Sequence, residues 1–265
     1  MPREQVLAWL EKTGFPLEMI AARAFREVGF EVQQSTTYID SATDKSREID
    51  VLANDPDLMG FVDLSVVVEC KSSAKPWVVL MANDALAGYN RLRVFAVMSD
   101  PARIALTRGM IDDLKVASML HAGGRCGYAL RQAFSKEDDP AYAAAMGLIS
   151  ACVGIIPKES FGGWPVVKVV IPVLIVDAPL FECELQPDGN LLLTEVEMSE
   201  FLFSAHVPQH VMCLVRVARK SKLKAIATWA NQAMVSLRSD LAAEESRIIK
   251  ALDAKAKSSS APRDA

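Results

Sequence analysis

The residues of this sequence that could do chemistry together lie at the end of one apolar segment and inside another. Glu69, Cys70 and Lys71 end a segment rich in valine, and Asp50 lies upstream in a second apolar segment. Side chains alternate along a strand, so Glu69 and Lys71 would project to one face. Burying two charges there is costly unless a partner compensates them. The pattern therefore indicates either an exposed strand end or charges that converge on a ligand.

The spacing of three acids favours a divalent metal as that ligand. A turn over 54–61 would pair the Asp50 and Glu69 segments as antiparallel strands. Facing residues of such a pair have Cβ atoms within about 5 Å, so the two carboxylates could share a cation. Glu18 lies at the edge of the apolar stripe of a predicted helix over 16–28 and could lean toward the sheet. Hard oxygen ligands suit Mg²⁺, for which Mn²⁺ could substitute, better than zinc.

This arrangement resembles that of the PD-(D/E)XK, or restriction-endonuclease-like, nuclease superfamily. A helix carrying Glu18 is followed by a meander carrying Asp50 and the triplet Glu69-Cys70-Lys71. The resemblance covers residues 14–75 and extends through a predicted strand over 166–176. It implies an active site that hydrolyses phosphodiester bonds with the help of a metal ion.

Each residue of the motif receives a role from the resemblance. Asp50, Glu69 and the Cys70 backbone carbonyl would hold Mg²⁺ against the scissile phosphate. Lys71 would orient or deprotonate the attacking water and stabilise the transition state. Glu18 would complete the coordination through water or a second metal.

The remaining chain predicts an α/β fold around one sheet. The predicted strands lie at 30–39, 47–53, 62–71, 166–176, 180–186, 191–197 and 211–217. The other predicted helices lie at 4–12, 78–92, 101–119, 140–153 and 221–252. The resemblance implies a restriction-endonuclease-like mixed central sheet flanked by helices, with a C-terminal hairpin and helix.

We expect a single nuclease-like domain over 1–240. Its core would span 14–176 and its C-terminal extension 177–240, followed by a helical to disordered tail over 241–265. The end of the tail, from Lys255, is rich in serine and predicts disorder.

Cationic and aromatic residues outside the acidic set could contact a nucleic acid. Arg219, Lys220 and Lys222 belong to the most basic segment and could contact phosphates, with a solvated helix surface as the alternative. Lys75 could contact a phosphate, and Trp77 could stack on a base or lie in the core. We expect DNA in preference to RNA, and a homodimer or a partner subunit is an open option.

The composition is that of an ordinary soluble protein, and we expect a cytoplasmic one. It is 51% hydrophobic and 23% charged, with a net charge of −4. A nucleic acid would therefore meet a local basic surface or a metal, because the overall charge does not attract it. The five cysteines are scattered singly, which predicts reduced thiols. No apolar segment is long enough to span a bilayer, so no membrane partner is expected.

Plainer alternatives exist for each part of the site. A Glu-x-Lys triplet can be a solvated strand end, and an acid such as Glu18 in the first turn of a helix is favoured by the helix dipole. Superfamily members can also lose activity and persist as binding modules. The resemblance thus implies a Mg²⁺-dependent nuclease, and a role in restriction, repair or anti-phage defence is an expectation by analogy with the superfamily alone. The alternative is an inactive module that binds nucleic acid or a protein.

Overall fold

The computed structural model describes residues 2–56, 61–108, 113–120, 123–135, 139–156 and 166–259. Within these residues the chain forms six α-helices and a mixed sheet of eleven strands. The helices are α1 Pro2–Leu10, α2 Phe15–Glu27, α3 Arg91–Phe95, α4 Asp100–Arg108, α5 Pro140–Gly154 and α6 Leu223–Ser259. The strands are β1 Glu31–Asp40, β2 Lys45–Asn54, β3 Val62–Ser72, β4 Trp77–Ala82, β5 Val97–Met98, β6 Cys126–Gln132, β7 Val167–Asp177, β8 Leu180–Leu185, β9 Leu191–Val196, β10 Met198–His206 and β11 His210–Arg219.

The sheet confirms the predicted α/β class and the predicted meander. Its strand order is β1-β2-β3-β7-β11-β10-β6-β4-β8-β9, with β5 paired to β7. The first three strands are antiparallel, whereas β3 runs parallel to β7 along its whole length. β8 and β9 form the predicted hairpin. Because β7 and β11 are neighbours, strands of the predicted core and of the predicted extension belong to one sheet.

Helices cover both faces of the central strands. α2 and α6 pack on one face, where Phe25 and Leu237 are fully buried with Val66 and Val68 of β3. α5 packs on the other face, where its apolar residues meet those of β3, β7 and β11. β7 is apolar along its length because a parallel strand that lies between two layers of helices is buried on both faces.

The predicted helix over 78–92 is wrong. These residues begin within β4, which lies between β6 and β8 in the sheet, and α3 starts only at Arg91. Trp77, Val79 and Met81 are buried while the residues between them are partly exposed, which is the alternation of a strand. A short apolar segment cannot be assigned by periodicity alone when its period is masked by apolar residues on both faces.

Several other boundaries differ from the prediction. The predicted helix over 101–119 becomes α4 and a 3-10 turn over Lys115–Met119, and residues 109–112 lie outside the described part. β5, β6 and β10 were not predicted. The predicted tail begins inside α6, where Leu241 and Ile248 are buried, and the helix continues past Lys255 to Ser259. Residues 260–265 lie outside the described residues.

None of the helices in the described part of the chain is both long enough and apolar enough to cross a membrane.

Candidate active site

The sheet opens at the point where the predicted acids lie. β2 pairs with β3 only from Val51–Val68 to Asn54–Ser65. Beyond that point β2 stays with β1, and β3 stays with β7. Asp50 and Glu69 occupy the first positions past the last pair. The two strands therefore diverge there, and a fork forms between them.

The backbone around Asp50 departs from a regular strand. The β1–β2 register skips Ser35 and Asp50, and Ser35 has φ 51°, in the left-handed region that residues other than glycine seldom adopt. Ile49 and Leu52 pack in the same cluster, although residues three apart in a regular strand face opposite sides. Val51 packs in the cluster on the opposite face. The strand thus changes its facing at Asp50, which keeps this carboxylate out of either core.

The Asp50 carboxylate is held by the backbone of the other branch of the fork. Its Oδ2 accepts a hydrogen bond from the Cys70 amide at 2.7 Å, in the place where a continued ladder would offer a carbonyl of β2. Burial raises the pKa of Asp50, and the Cys70 hydrogen bond and Lys71 lower it only in part. The pKa of this carboxyl is therefore above its ordinary value.

Glu69 and Lys71 project to the same side of β3, as predicted, and form an ion pair. The Glu69 side chain is only 17% exposed and that of Lys71 is 40% exposed. Burial and the charge of Asp50 raise the pKa of Glu69, against the opposing effect of Lys71. Burial would lower the pKa of Lys71, but Glu69 and Asp50 raise it more, so its ammonium group is favoured.

Glu18 approaches the fork from α2. It lies in the first turn of that helix and is partly buried. Burial raises its pKa first, followed by the charges of Asp50 and Glu48. Glu18 and Asp50 line the same cavity, so the acid predicted on the helix does approach the acid predicted on the meander.

One open cavity of about 470 Å³ joins most of these residues. Its lining comprises Lys12, Thr13, Gly14, Glu18, Asp50, Cys70, Lys71, Ser72, Ser73 and Ala74. Glu69 is not part of this lining, and its carboxylate pairs with Lys71, which is. Of the predicted catalytic residues, the structure thus brings Glu18, Asp50 and Lys71 to one cavity and holds Glu69 at its margin.

The donor chemistry of the cavity fits a hard cation. Glu18, Asp50 and the Cys70 backbone offer oxygen atoms, which Mg²⁺ prefers to nitrogen or sulfur. Among the described residues, no three or more His, Cys, Asp or Glu side chains already form a group that could hold a metal. For Glu69 to share a cation with Asp50, as the sequence predicts, its carboxylate would have to leave Lys71.

A second cavity, of about 520 Å³, shares Ser73 with the first and reaches the predicted basic segment. Arg219 and Lys220 line it, but both are already ion-paired. Lys220 contacts Asp177 at 2.9 Å, and the acids Glu195 and Glu197 both contact Arg219 at 2.9 Å. The positive charge of this surface is thus largely compensated.

Lys222 lies in the same basic segment, in the 3-10 turn Lys220–Lys222 that precedes α6. Its charge helps to lower the pKa of Glu197, after the larger effects of the Ser221 hydrogen bond and Arg219. Lys222 therefore lies near one acid, Glu197, and its contact with a phosphate stays a prediction.

The two predicted contacts just past β3 have different outcomes. Lys75 is exposed, and its Nζ donates to the Phe134 carbonyl at 3.1 Å, so it can still meet a ligand. Trp77 is 1% exposed and lies inside the core, which contradicts the predicted stacking on a base. A base cannot reach a ring that is enclosed on both faces, and the core alternative for Trp77 is confirmed.

Sequence reasoning missed Lys12, an exposed cation on the cavity wall. It lies in the connection between α1 and α2, two residues before Gly14, where an added Cβ would be 3.4 Å from a Glu18 carboxylate oxygen. Nothing in the local pattern of charges links Lys12 to Asp50. Its placement depends on how α2 packs against the sheet.

No protein-family model, curated protein or solved structure matches this chain. What the protein does must therefore be inferred from its own residues.

Proposed function

We propose that this protein is a Mg²⁺-dependent nuclease that hydrolyses phosphodiester bonds, with DNA as its preferred substrate. The observation that carries the proposal is the hydrogen bond from the Cys70 amide to Asp50 across the β2–β3 fork. It fixes an acid beside the strand end that bears Glu69 and Lys71, at a cavity that Glu18 also lines. This is the juxtaposition that the resemblance to the PD-(D/E)XK superfamily requires, and it supports a restriction-endonuclease-like site.

The metal ligands in this proposal are Asp50, Glu69 and the Cys70 carbonyl, with Glu18 contributing directly or through water. A Mg²⁺ ion bound there would lower the pKa of water and neutralise negative charge on the phosphate. Because the pKa of Lys71 is raised, its protonated form would orient the attacking water and stabilise charge on the phosphate oxygens. In this proposal the hydrogen bond from the Cys70 amide keeps Asp50 in place, while the Glu69 carboxylate leaves Lys71 to bind the metal.

In this proposal the protein is cytoplasmic, because a nuclease in the cytoplasm would have access to DNA. All five cysteines are free thiols, and four of them are buried. Free thiols persist in a reducing compartment, which supports this assignment. A role in restriction, repair or defence is suggested by the superfamily alone.

The second candidate is a nuclease-like module that binds nucleic acid or a protein without cleaving it. The ion pair between Glu69 and Lys71 favours this candidate, because it occupies two of the proposed catalytic groups with each other. The compensated charges of Arg219 and Lys220 are also compatible with a binding surface for a partner other than DNA.

A cleavage assay separates the two candidates. Purified protein is incubated with linear, circular and single-stranded DNA, and with RNA, in Mg²⁺, Mn²⁺ or EDTA. The nuclease proposal predicts strand scission that requires a divalent metal and is greatest on DNA. Metal-dependent binding without scission of any of these substrates would support the inactive module instead. Scission in EDTA would contradict both.

A further inference from the structure

Helix α1 carries large apolar side chains, although residues 2–9 are all exposed and Leu10 is only half-buried. None of its residues is buried. Val6 is 53% exposed, Leu7 48% and Trp9 59%. Met19 of α2 is exposed as well, at 63%. A helix of this length is marginal in water without packing, and a group of large exposed apolar residues on one short helix marks an interaction site. Its stability calls for a partner that covers it.

The charges of α1 indicate which partner. Arg3, Leu7 and Glu11 are four residues apart, so they form one row along the helix. The Glu11 amide donates to the Leu7 carbonyl at 2.9 Å, which continues the helical turn to the end of the row. All three side chains are exposed. The row therefore has a cation at one end, an apolar residue in the middle and an anion at the other end.

The charges of this row are complementary to those of a second copy of the row that runs antiparallel to it. A second copy of α1, placed antiparallel about a two-fold axis at Leu7, brings Leu7 against its counterpart. Arg3 of each copy then meets Glu11 of the other. This is the isologous contact that a symmetric dimer requires, in which one surface serves both subunits.

A second exposed apolar surface, the edge strand β9, lacks this complementarity. Leu191, Leu192 and Leu193 are exposed there, and β9 is the last strand of the sheet. The charged residues nearest to it in sequence, Asp188 and Glu195, are both acidic, and Glu195 is already paired with Arg219. β9 therefore lacks a row with a cation at one end and an acid at the other, and charge does not favour its pairing with a second copy.

We infer that α1 is the interface of a homodimer, formed by antiparallel packing of its Arg3-Leu7-Glu11 row on a second copy of the chain. The inference stands without the proposed nuclease activity, because it rests on exposure and charge in α1. It also bears on the site. The chain leaves α1 through Lys12, Thr13 and Gly14, which line the cavity beside Glu18. Fixing α1 in a dimer would therefore fix one wall of that cavity.

The test is a measurement of molecular mass by light scattering or sedimentation, on the full chain and on charge-swapped variants. Arg3→Glu and Glu11→Arg should each weaken the dimer, because each sets like charges against one another. Combining Arg3→Glu with Glu11→Arg should restore it. Neither swap opposes the helix dipole, because Arg3→Glu places an acid at the N-terminal end of α1 and Glu11→Arg places a base at its C-terminal end. Circular dichroism confirms that each variant is folded.

Leu7→Asp should give a monomer, and Leu192→Asp on β9 is the matched control that should stay dimeric. We expect the single charge swaps to raise the dimer Kd by about tenfold or more. A monomeric wild type at high micromolar concentration would overturn the inference. So would a dimer that dissociates with Leu192→Asp and not with Leu7→Asp, or a double swap that fails to restore the dimer.

Discussion

The Cys70 amide donates a hydrogen bond to the Asp50 carboxylate at 2.7 Å, across the fork where β2 and β3 diverge. This contact joins the two halves of the acidic motif through the backbone. It leaves Asp50 close enough to Glu18 and Glu69 to raise the pKa of each. Because these carboxylates raise one another's pKa, we expect the stability of the protein to respond to metal and to pH.

Asp50→Asn should have opposite effects on stability without and with metal. In EDTA it should raise the Tm, because it removes one repelling charge while an amide oxygen can still accept from Cys70. In excess Mg²⁺ it should lose most of the metal-induced stabilisation, which for wild type is about 1.4 kcal/mol when Mg²⁺ is near ten times Kd. Thermal melts in both buffers check this, with exposed Asp84→Asn as the control. A Tm of wild type that Mg²⁺ leaves unmoved well above millimolar concentration would refute the convergent site.

The stabilisation that Asp50→Asn gives in EDTA should vanish in acid. The pKa of Asp50 is raised above the ordinary 3.8 by burial, so the folded state holds its proton to higher pH than the unfolded state does. Between these two pKa values the folded state binds more protons, and stability falls as the pH rises through the window. Urea unfolding of both proteins from pH 4 to pH 7 measures the difference. A constant difference in unfolding free energy over this range would show that the Asp50 carboxyl is not strained.

Glu69 and Lys71 should be energetically coupled in the metal-free protein. Lys71→Met leaves the largely buried Glu69 carboxylate without its cation. The double variant, Lys71→Met with Glu69→Gln, removes the carboxylate charge as well. Because Lys71 is 40% exposed, solvent screening limits the expected coupling to about 1 kcal/mol or less. A double-mutant cycle of unfolding free energies in EDTA gives this number. Additive single changes would mean that the ion pair does not persist in solution.

Lys12 should contribute more than Lys220 to binding of DNA. Lys12 is an exposed cation on the wall of the acidic cavity, whereas Lys220 is ion-paired with Asp177. If Lys12 contacts a phosphate, Lys12→Ala should reduce the slope of log affinity against log salt by about 0.9. Lys220→Ala should leave the slope nearly unchanged. The reverse result would restore the predicted phosphate contact at the basic segment.

The local sequence patterns predicted the part of the site that is formed by strands adjacent in the chain. The apolar segments around Asp50 and Glu69 and the turn between them are enough to predict the meander, and the structure confirms it. The pattern did not predict the change of facing at Asp50, because that change depends on the unusual φ of Ser35. Nor did it predict that Glu69 would lie against Lys71, since either of two partners is available to the carboxylate.

Features that depend on tertiary packing could not be predicted from local sequence patterns. The sequence left Trp77 open between stacking on a base and the core, and the position of β4 between β6 and β8 buries it. The segment over 78–92 was predicted as a helix, whereas pairing with β6 and β8 makes its first part a strand. Lys12 reaches the cavity only through the packing of α2.

The most direct test of the central claim compares two lysines that lie four residues apart. Single-turnover cleavage of DNA in Mg²⁺ is measured for wild type, Lys71→Ala and Lys75→Ala. Lys71 lines the acidic cavity, whereas Lys75 is exposed and lies beyond its lining residues. The rate is read at saturating protein, where loss of the phosphate contact predicted for Lys75 changes affinity and not the cleavage rate. The nuclease proposal predicts that Lys71→Ala slows cleavage by about 10²- to 10³-fold, the loss expected for one charged transition-state contact, and that Lys75→Ala stays within a few-fold of wild type. Lys71→Ala protein that cuts DNA at the wild-type rate would contradict the assigned active site.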